Sequence, residues 1–486
     1  GSAGAYRLSG TLTDGQVVVD AGTGDAVRLV LAGASITSTT TAAVYVVQAD
    51  RVIVTLAAGT ENYLADAASY VYPDAATTEP NAALFSNDDL TINGAGALTV
   101  VGGYQDGIAS DDDLKVAGGT IAVTAPDDGL RGKDSVAVGG GSITVTAGGD
   151  GVKASNDEDA AQGYVVVEAG ALAITAGGDG IQAVTGLVVA GGELTIRTGS
   201  GAGGAADSAK GLKAGSALII AGGAIAVDAV DDALHSDATL AITAGTLDLS
   251  SGDDGIHAEA SLEIDGGTIA IVECYEGLES AAITINGGEV SLNAADDGIN
   301  TVAAGAAAEQ APGGPGGRGG LGGQNGTSPL YMNGGYVYID ARGDGVDANG
   351  PVEMTGGVLV VSGPTADNNG ALDFTRFTVS GGLLVAVGSA GMAMAPDESS
   401  PQAVAGLSFG TSIVAGTMIH IAAADGTGVL TFTPAKDFAT VVLSSPDLEA
   451  GVTYTVYTGG SSTGTEVDGL YTGGTYTPGE VAGTFT

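Results

Sequence analysis

Hydrophobic and polar residues alternate in short stretches along most of the chain. In the stretch 113–134, Leu114 and Val116 alternate with polar or small residues, and Ile121 and Val123 do so again. A period of two is typical of β-strands with one buried face. No stretch has the longer period of an amphipathic helix, so the sequence predicts an all-β protein.

Two short phrases repeat in phase along the chain. An Asp-Gly-Ile phrase, or a near variant, recurs mostly at 22-residue intervals. A second phrase, usually Gly-Gly before a strand, keeps the same interval. We call the central small residue of the first phrase the marker residue. The marker residues are Gly107, Gly129, Gly151, Gly180, Gly211, Ala233, Gly255, Gly277, Gly298, Gly345 and Ala371.

Each 22-residue repeat holds three short strands separated by Gly- and Asp-rich turns. This pattern predicts a parallel β-helix with three strands per rung and rungs about 4.8 Å apart. We expect a right-handed coil, the usual hand of parallel crossovers. The predicted parts are irregular first rungs and a cap over 1–94, regular rungs over 95–400, and a small β-sandwich-like domain over 401–486 that covers the end of the coil. Longer intervals predict insertions at Ser155–Gly163, at about Gly199–Ser208, and in a Gly-rich loop at 303–328.

Composition excludes several classes of protein. The chain has 57 acidic and 14 basic residues, a net charge of −43, so its surface does not suit a nucleic acid. No apolar run is long enough for a membrane span, and the one cysteine, Cys274, excludes a disulfide framework. Gly1-Ser2 is typical of residues left by cloning, so we expect an export signal to have been removed and the protein to be an extracellular or cell-surface monomer.

Acidic residues cluster just before the marker residues. Neighbouring rungs would stack their carboxylates about 5 Å apart, where two unit charges repel by about 3 kcal/mol at an effective dielectric constant near 20. Calcium, which takes six to eight oxygen ligands, would compensate this repulsion. The alternative is that Asp before Gly only forms a favourable turn. The predicted ligands of several Ca²⁺ ions are Asp106, Asp127, Asp128, Asp231, Asp232, Asp237, Asp253, Asp254, Glu259, Glu276, Asp296 and Asp297.

Scarce basic residues collect two positions after the marker residues, where side chains should point outward. This column contains Arg131, Lys153, Lys213, His235 and His257, and Lys133 lies beside it. Either a polyanionic sugar lies along the column, or the cations only neutralise nearby aspartates. Tyr336 and Tyr338 should also face outward and, with Tyr331, form a stacking platform for sugar rings, unless a loop covers them.

The aligned repeats resemble a known family. The stretches DDGLRGKDSVAV, DDALHSDATLAITAGTLDL, DDGIHAEASLEIDGGTIAI and LYMNGGYVYIDARGDGVDANG are similar to the bacterial calcium-binding carbohydrate-binding domains that adopt a polysaccharide-lyase-like right-handed β-helix. The type example is a clostridial cell-surface protein. The resemblance implies calcium on the flank of the coil, binding of plant cell-wall polysaccharides such as cellulose and polygalacturonate, and no clear catalytic activity. The metal ligands that it implies here are Asp127, Asp128, Asp231, Asp232, Asp253, Asp254, Asp296 and Asp297.

Three functions remain after these observations. The one we expect is a non-catalytic, calcium-assisted binder of acidic or β-linked polysaccharide. The second is a calcium-dependent lyase of uronate polymers, with Arg131 or Lys133 as the base beside Asp127 and Asp128. The third is a structural or adhesive surface fibre whose acids keep it in solution.

Overall fold

The computed structural model describes residues 2–74, 76–199, 201, 208–303 and 326–486. Within these residues every regular element is a β-strand, so the all-β prediction is confirmed. The chain forms two compact units, Gly1–Ile256 and His257–Thr486. Two of the predicted insertions, at about Gly199–Ser208 and at 303–328, lie mostly outside the described residues.

The strands of the first unit are short and regularly spaced. They are β1 (Gly4–Leu12), β2 (Val17–Asp20), β3 (Ala26–Thr37), β4 (Val44–Gln48), β5 (Arg51–Leu56), β6 (Glu61–Ala65), β7 (Ala82–Ser86), β8 (Asp89–Gly94), β9 (Ala97–Val101), β10 (Asp106–Ser110), β11 (Asp113–Val116), β12 (Thr120–Ala125), β13 (Leu130–Gly132), β14 (Ser135–Val138), β15 (Ser142–Ala147), β16 (Val152–Ala154), β17 (Tyr164–Val167), β18 (Ala171–Ala176), β19 (Ile181–Ala183), β20 (Gly186–Val189), β21 (Glu193–Thr198), β22 (Leu212–Ala214), β23 (Ala217–Ile220), β24 (Ala224–Ala229), β25 (Leu234–Ser236), β26 (Thr239–Ile242) and β27 (Thr246–Ser251).

Parallel pairing joins these strands in a fixed pattern. From β4 to β24, each strand pairs in parallel with the strand three places later, so three consecutive strands form one rung. The irregular start also pairs in parallel: β1 pairs with β3, and β3 pairs with both β5 and β6. Equivalent residues stack in register, as Ile121 does on Ile143 and Ile143 on Leu172.

Alternation of side chains places the core between the strands of each rung. In β12, β15 and β18 every second residue is buried and the residues between are exposed. The buried positions carry Ile, Leu, Val and Ala, so stacked aliphatic side chains form the interior. The period of two in the sequence therefore predicted both the strands and their buried face.

The second unit continues with parallel strands and ends in antiparallel ones. Its strands, with β28 at the boundary, are β28 (Ile256–Ala258), β29 (Ser261–Ile264), β30 (Thr268–Cys274), β31 (Leu278–Ser280), β32 (Ile283–Ile285), β33 (Glu289–Ala294), β34 (Ile299–Thr301), β35 (Leu330–Met332), β36 (Tyr336–Ala341), β37 (Val346–Met354), β38 (Val358–Ser362), β39 (Leu372–Val379), β40 (Leu383–Gly388), β41 (Val404–Ile413), β42 (Ile419–Ala423), β43 (Gly428–Phe432), β44 (Phe438–Ser444), β45 (Tyr454–Thr458), β46 (Ser461–Ser462), β47 (Thr465–Val467), β48 (Leu470–Thr472), β49 (Tyr476–Thr477) and β50 (Glu480–Phe485).

Pairing changes direction at β40. Strands β29 to β40 pair in parallel, whereas β44 pairs antiparallel with both β40 and β41. A further six-stranded sheet has the order β47-β48-β43-β42-β45-β50. Ile419, Phe432 and Phe438 belong to a buried cluster that also includes Val385 of β40. The last residues thus pack through their own aromatic and aliphatic core onto the final parallel strands.

Candidate metal and carbohydrate sites

The aspartates directly before the marker residues form a hydrogen-bonded column in the first unit. We call Asp106, Asp128, Asp150, Asp179, Asp232 and Asp254 the aspartate column. The Oδ1 atom of Asp128 accepts the backbone N–H of Asp150 at 2.9 Å, and Asp150 accepts that of Asp179 at 2.7 Å. Asp106 and Asp232 accept the N–H groups of Asp128 and Asp254 in the same way. One carboxylate oxygen thus satisfies a buried donor of the next rung.

The second carboxylate oxygen of several column members meets a cation. Arg131 Nη1 lies 3.3 Å from Asp106 Oδ2. Lys153 Nζ lies 2.7 Å from Asp150 Oδ2 and 3.4 Å from Asp128 Oδ2. Lys213 Nζ lies 3.7 Å from Asp179 Oδ2. The basic side chains of the predicted binding column therefore neutralise the aspartate column of the first unit.

Lys210 takes the place of an aspartate in the column. Its backbone N–H donates to Asp179 Oδ1 at 2.7 Å, and its Nζ lies 2.9 Å from Asp231 Oδ2 and 2.7 Å from Asp232 Oδ2. Carboxylate oxygens of Asp231, Asp232 and Asp253 lie within 4.8 Å of one another, as metal ligands would. An ammonium group is therefore already positioned against two of these three carboxylates.

Burial raises the pKa of three members of the aspartate column. Asp106 is 1% exposed, and its burial, with the charge of Asp128, raises its pKa to about 7 although Arg131 opposes the shift. Burial also raises the pKa of Asp128 and of Asp179. These three carboxylates are thus held in an environment that disfavours their charge, and cations offset part of that penalty.

The second unit contains an acidic cluster without such cations. We call Asp297, Asp344 and Asp347 the Asp344 cluster, because their oxygens lie within 4.8 Å of one another. Asp297 Oδ1 accepts the N–H of Asp344 at 2.6 Å, and Asp344 Oδ1 accepts that of Gly370 at 2.5 Å. Asp347 stacks in register on Asp373 of β39. Within the described part of the chain, no basic side chain forms an ion pair with the three members.

The pKa values of this cluster rise for two reasons. Burial is the larger cause, and the negative charges of neighbouring aspartates add to it. The pKa of Asp344 rises to about 7 and that of Asp347 to about 6, with Asp373 and Asp296 among the repelling charges. Burial and Glu276 raise the pKa of Asp297 well above its usual range. The cluster is therefore an electrostatically uncompensated group of oxygen atoms.

Asn300 borders the cluster with one satisfied and one unsatisfied side-chain atom. It is 3% exposed and stacks in register on Asp347. Its Nδ2 donates to Glu276 Oε2 at 2.7 Å and to Glu279 Oε2 at 3.2 Å. Its Oδ1 is buried without a hydrogen-bond partner. A buried acceptor without a donor suits a cation, which is the ligand that the surrounding carboxylates also favour.

The other predicted metal ligands have varied surroundings. Asp127 is exposed and lies near Asp106 and Asp128. Asp237 Oδ1 lies 2.8 Å from His235 Nε2, and Glu259 Oε1 lies 3.7 Å from His257 Nε2. Asp296 accepts a hydrogen bond from the hydroxyl of Tyr275. The structure thus distributes the twelve predicted residues over several acidic groups rather than one.

The predicted outward column differs from expectation at its histidines. His235 and His257 are buried, at 9% and 6% exposure, because acidic side chains flank both rings. His235 Nδ1 lies 2.7 Å from Asp232 Oδ2. Arg131, Lys133, Lys153 and Lys213 are half-buried. These contacts are those that local neutralisation predicts, and a polyanion would have to displace them.

The tyrosines alternate as predicted but are not open to solvent. Tyr336 and Tyr338 lie on the face opposite the buried Val337 and Ile339, and both are half-buried against the C-terminal core cluster. Burial and neighbouring acids raise the pKa of Tyr338 to about 12. The residues that cover them belong to the C-terminal strands, because β44 and its neighbours pack on the last parallel strands. Tyr331 is also half-buried.

Comparison with known proteins supplies the family. A family model described as "Carbohydrate-binding domain-containing protein" matches residues 1–255 of the 486. The chain belongs to this family of carbohydrate-binding domain-containing proteins.

Two relatives share parts of the chain. A carbohydrate-binding domain-containing protein of Acetivibrio thermocellus is 44% identical over 120 residues, which cover 25% of this chain and 42% of that protein. The matched region thus spans less than half of the curated relative. A solved structure of a polysaccharide lyase-like protein from C. thermocellum, a gadolinium derivative, is 38% identical and covers 45% of this chain and 84% of that one, with a TM-score of 0.43. Among the described residues there is no helix that could span a membrane.

The sequence patterns did not identify all the acidic residues in and beside the Asp344 cluster. Asp344, Asp347 and Asp373 were not among the predicted ligands, because their rungs lack the doubled aspartate that was used as the signal. The signal that finds them is the loss of basic residues from the column two positions after the marker residues. In register with Asp347 this column holds Asn300 and Asp373. In the first unit the same column holds Arg131 and Lys153.

Proposed function

We propose that this protein is a secreted or cell-surface, non-catalytic polysaccharide-binding module that binds Ca²⁺. The proposal includes a right-handed parallel β-helix with the antiparallel C-terminal strands as its cap. The family match supports carbohydrate binding. The observation that carries the metal part is the Asp344 cluster, whose carboxylates lie within 4.8 Å without a basic partner among the described residues.

The Asp344 cluster fits calcium better than the other acidic groups do. Asp297, Asp344 and Asp347 would supply carboxylate oxygens, Asp373 lies one rung further, and Asn300 Oδ1 is an unsatisfied neutral oxygen. Calcium prefers six to eight oxygen ligands in flexible geometry, and solvent and a sugar could complete such a set. When bound, the ion would supply positive charge that stabilises the ionised carboxylates and attracts acidic sugars.

The acidic groups of the first unit fit a metal less well. Lys210 already contacts Asp231 and Asp232, so a divalent ion would have to displace its ammonium group. Arg131 similarly contacts Asp106. We therefore place the strongest calcium site in the second unit and regard the aspartate column as mainly structural.

The contacts of Arg131 also argue for binding rather than catalysis. A lyase needs a base near the substrate, and Arg131 was the strongest candidate. Its guanidinium group is engaged by Asp106 at 3.3 Å and by Ser155 Oγ at 3.3 Å. Both contacts hold the guanidinium group against the protein itself. We therefore propose that the module holds plant cell-wall polysaccharide, acidic or β-linked, without cleaving it.

The calcium proposal is tested on thermal stability. We expect Ca²⁺ to raise Tm relative to chelator, and Asp347→Asn to remove most of that gain because it removes one negative ligand of the cluster. Asp248→Asn is the matched control, since Asp248 is an exposed residue of β27 outside the cluster. Equal calcium gains in wild type and Asp347→Asn would place the ion elsewhere, and no gain in wild type would reject the metal.

The binding proposal is tested with polysaccharide. The protein is incubated with polygalacturonate and, separately, with insoluble cellulose, each with calcium and with chelator. We expect protein to be retained on polysaccharide and no unsaturated sugar ends to form. Unsaturated ends that appear only with calcium would instead show a lyase, and no retention on either material would favour a structural fibre.

A further inference from the structure

One broad face of the first unit carries no charge. The outward residues of β12 are Thr-Ala-Thr, those of β15 Ser-Thr-Thr, and those of β18 Ala-Ala-Thr, and all nine are exposed. We call these nine positions the threonine face, with Thr144 at its centre. The preceding strand, β9, extends it with Ala, Thr and Val. In a chain with a net charge of −43, an uncharged area of this extent is unusual.

The residues of the threonine face are aligned from strand to strand. Its strands stack in register, so Thr124, Thr146 and Thr175 form one column. Each of β12, β15 and β18 follows a glycine with a positive φ, as at Gly141 with 99°, which turns the chain sharply at the edge of the face. Strand rise and spacing give an area of about 13 Å by 14 Å between the outermost columns and rungs when β9 is included.

Because the threonine face carries no charge, it suits contact with an uncharged polysaccharide surface. Contact with an insoluble polysaccharide removes water, and a carboxylate buried in that contact without a partner is costly. The face offers methyl groups for the apolar surface of sugar rings and hydroxyl groups that both donate and accept hydrogen bonds. Threonine side chains are β-branched and stiff, so little side-chain freedom is lost on docking.

We propose that the threonine face docks on the flat surface of an uncharged, sheet-forming polysaccharide, the class to which β-linked glucans belong. This inference rests on the proposed carbohydrate-binding function and deepens it, because it gives neutral glycans a site separate from the acidic groups. The face lies wholly within residues 1–255, the part of the chain that matches the carbohydrate-binding family. The next rung ends the uncharged area with Glu193 and Arg197.

The test places the same charge on two neutral faces. Thr144→Glu puts a carboxylate at the centre of the threonine face, and Ile219→Glu puts one on an exposed outward position of β23, on a different strand set of the same unit. Retention on microcrystalline cellulose is measured at fixed ionic strength, with polygalacturonate plus calcium as a parallel ligand. Circular dichroism and thermal melting confirm that both variants fold.

The expected result is at least a tenfold loss of cellulose affinity for Thr144→Glu, unchanged affinity for Ile219→Glu, and unchanged polygalacturonate retention for both. Equal cellulose affinity in Thr144→Glu and wild type overturns the inference, as does a loss confined to Ile219→Glu. Wild type that binds polygalacturonate but no cellulose also overturns it while leaving the proposed function intact. Wild type that binds neither rejects the proposed function itself. Self-association that Thr144→Glu abolishes, without an effect on cellulose, would assign the face to a second copy.

Discussion

At the scale of single residues, Lys210 shows how the column can be neutralised without a metal. Its backbone N–H completes the hydrogen-bonded column, and its side chain bridges Asp231 and Asp232. Burial alone would lower the pKa of this lysine, but the two carboxylates raise it above its usual range. The ammonium group therefore stays charged and performs the compensating role that calcium is proposed to perform at the Asp344 cluster.

Replacing Lys210 by methionine should destabilise the protein and create a metal requirement. Removing one partner of a buried ion pair costs about 3–5 kcal/mol, because the remaining charges lose their compensation. We expect Lys210→Met to lower the free energy of unfolding in urea by about that amount in chelator. Calcium should restore part of the loss, because Asp231, Asp232 and Asp253 would then resemble the Asp344 cluster.

Lys115→Met is the control for this substitution. Lys115 is exposed on β11 and forms no ion pair among the described residues, so its replacement should change stability by less than about 0.5 kcal/mol. If Lys210→Met is as stable as Lys115→Met in chelator, the bridge contributes nothing and the account of the column is wrong.

The sequence allowed the acidic positions to be predicted but not their partners. The aspartate before each marker residue follows directly from the repeat, as at Asp128 and Asp150. One oxygen of each aspartate accepts the backbone N–H of the next rung. This bond depends on the register between rungs, and no local sequence pattern contains that register. The distinction between neutralised and uncompensated carboxylates likewise depends on which rung stacks on which.

At the scale of elements, the marker glycines set the approach of neighbouring rungs. A Cβ atom at Gly151 would lie 2.3 Å from Ile174 Cγ2 and 2.6 Å from the carbonyl oxygen of Gly180. The N–H of Gly151 also donates to the carbonyl oxygen of Asp179 at 2.9 Å. The repeat of glycine after aspartate, visible in the sequence, thus reflects contact with both the core and the next rung.

Gly151→Ala should therefore weaken the stack. The added methyl group must displace the Ile174 side chain or the backbone of the next rung, and overpacking of this kind costs about 1–3 kcal/mol. The measurement is urea unfolding of Gly151→Ala beside Gly24→Ala, since a Cβ at Gly24 would meet no atom within 4 Å. Loss of stability in Gly24→Ala alone, or in neither variant, would contradict the close-approach argument.

The regular elements were predictable because each rung repeats the same local pattern. Alternation predicted strands such as β12 and β15, and the period predicted their parallel stacking. The cover over Tyr336 and Tyr338 was not predictable, because it comes from β44 and neighbouring strands about a hundred residues later. Such long-range packing leaves no trace in the local period of β36.

At the scale of the whole molecule, the net charge of −43 makes stability depend on pH and on cations. The pKa values of Asp106 and Asp344 rise from 3.8 to about 7, and that of Asp347 to about 6. A carboxyl group with a raised pKa binds its proton more tightly in the folded than in the unfolded chain. Between its ordinary and its raised pKa, the free energy of unfolding therefore falls as pH increases.

This linkage predicts opposite effects of pH and calcium. In chelator, Tm should fall as pH rises from about 4 to about 7, the window given by the ordinary and raised pKa values of Asp106 and Asp344. Calcium needs ionised ligands, so it should raise Tm little at pH 5 and most above pH 7.

The measurement is Tm against pH, with calcium and with chelator, in low salt and in 1 M salt, where surface charges are screened within about 3 Å. A fall that persists in 1 M salt belongs to the buried carboxylates rather than to general surface repulsion. In chelator, the Tm of the double variant Asp344→Asn/Asp347→Asn should decrease less with rising pH than that of wild type, because both titrating ligands are gone. Calcium should then restore little of the decrease that remains. A chelator Tm that rises over this window, or a larger calcium gain at pH 5 than above pH 7, would contradict the linkage and with it the assignment of calcium to ionised carboxylates.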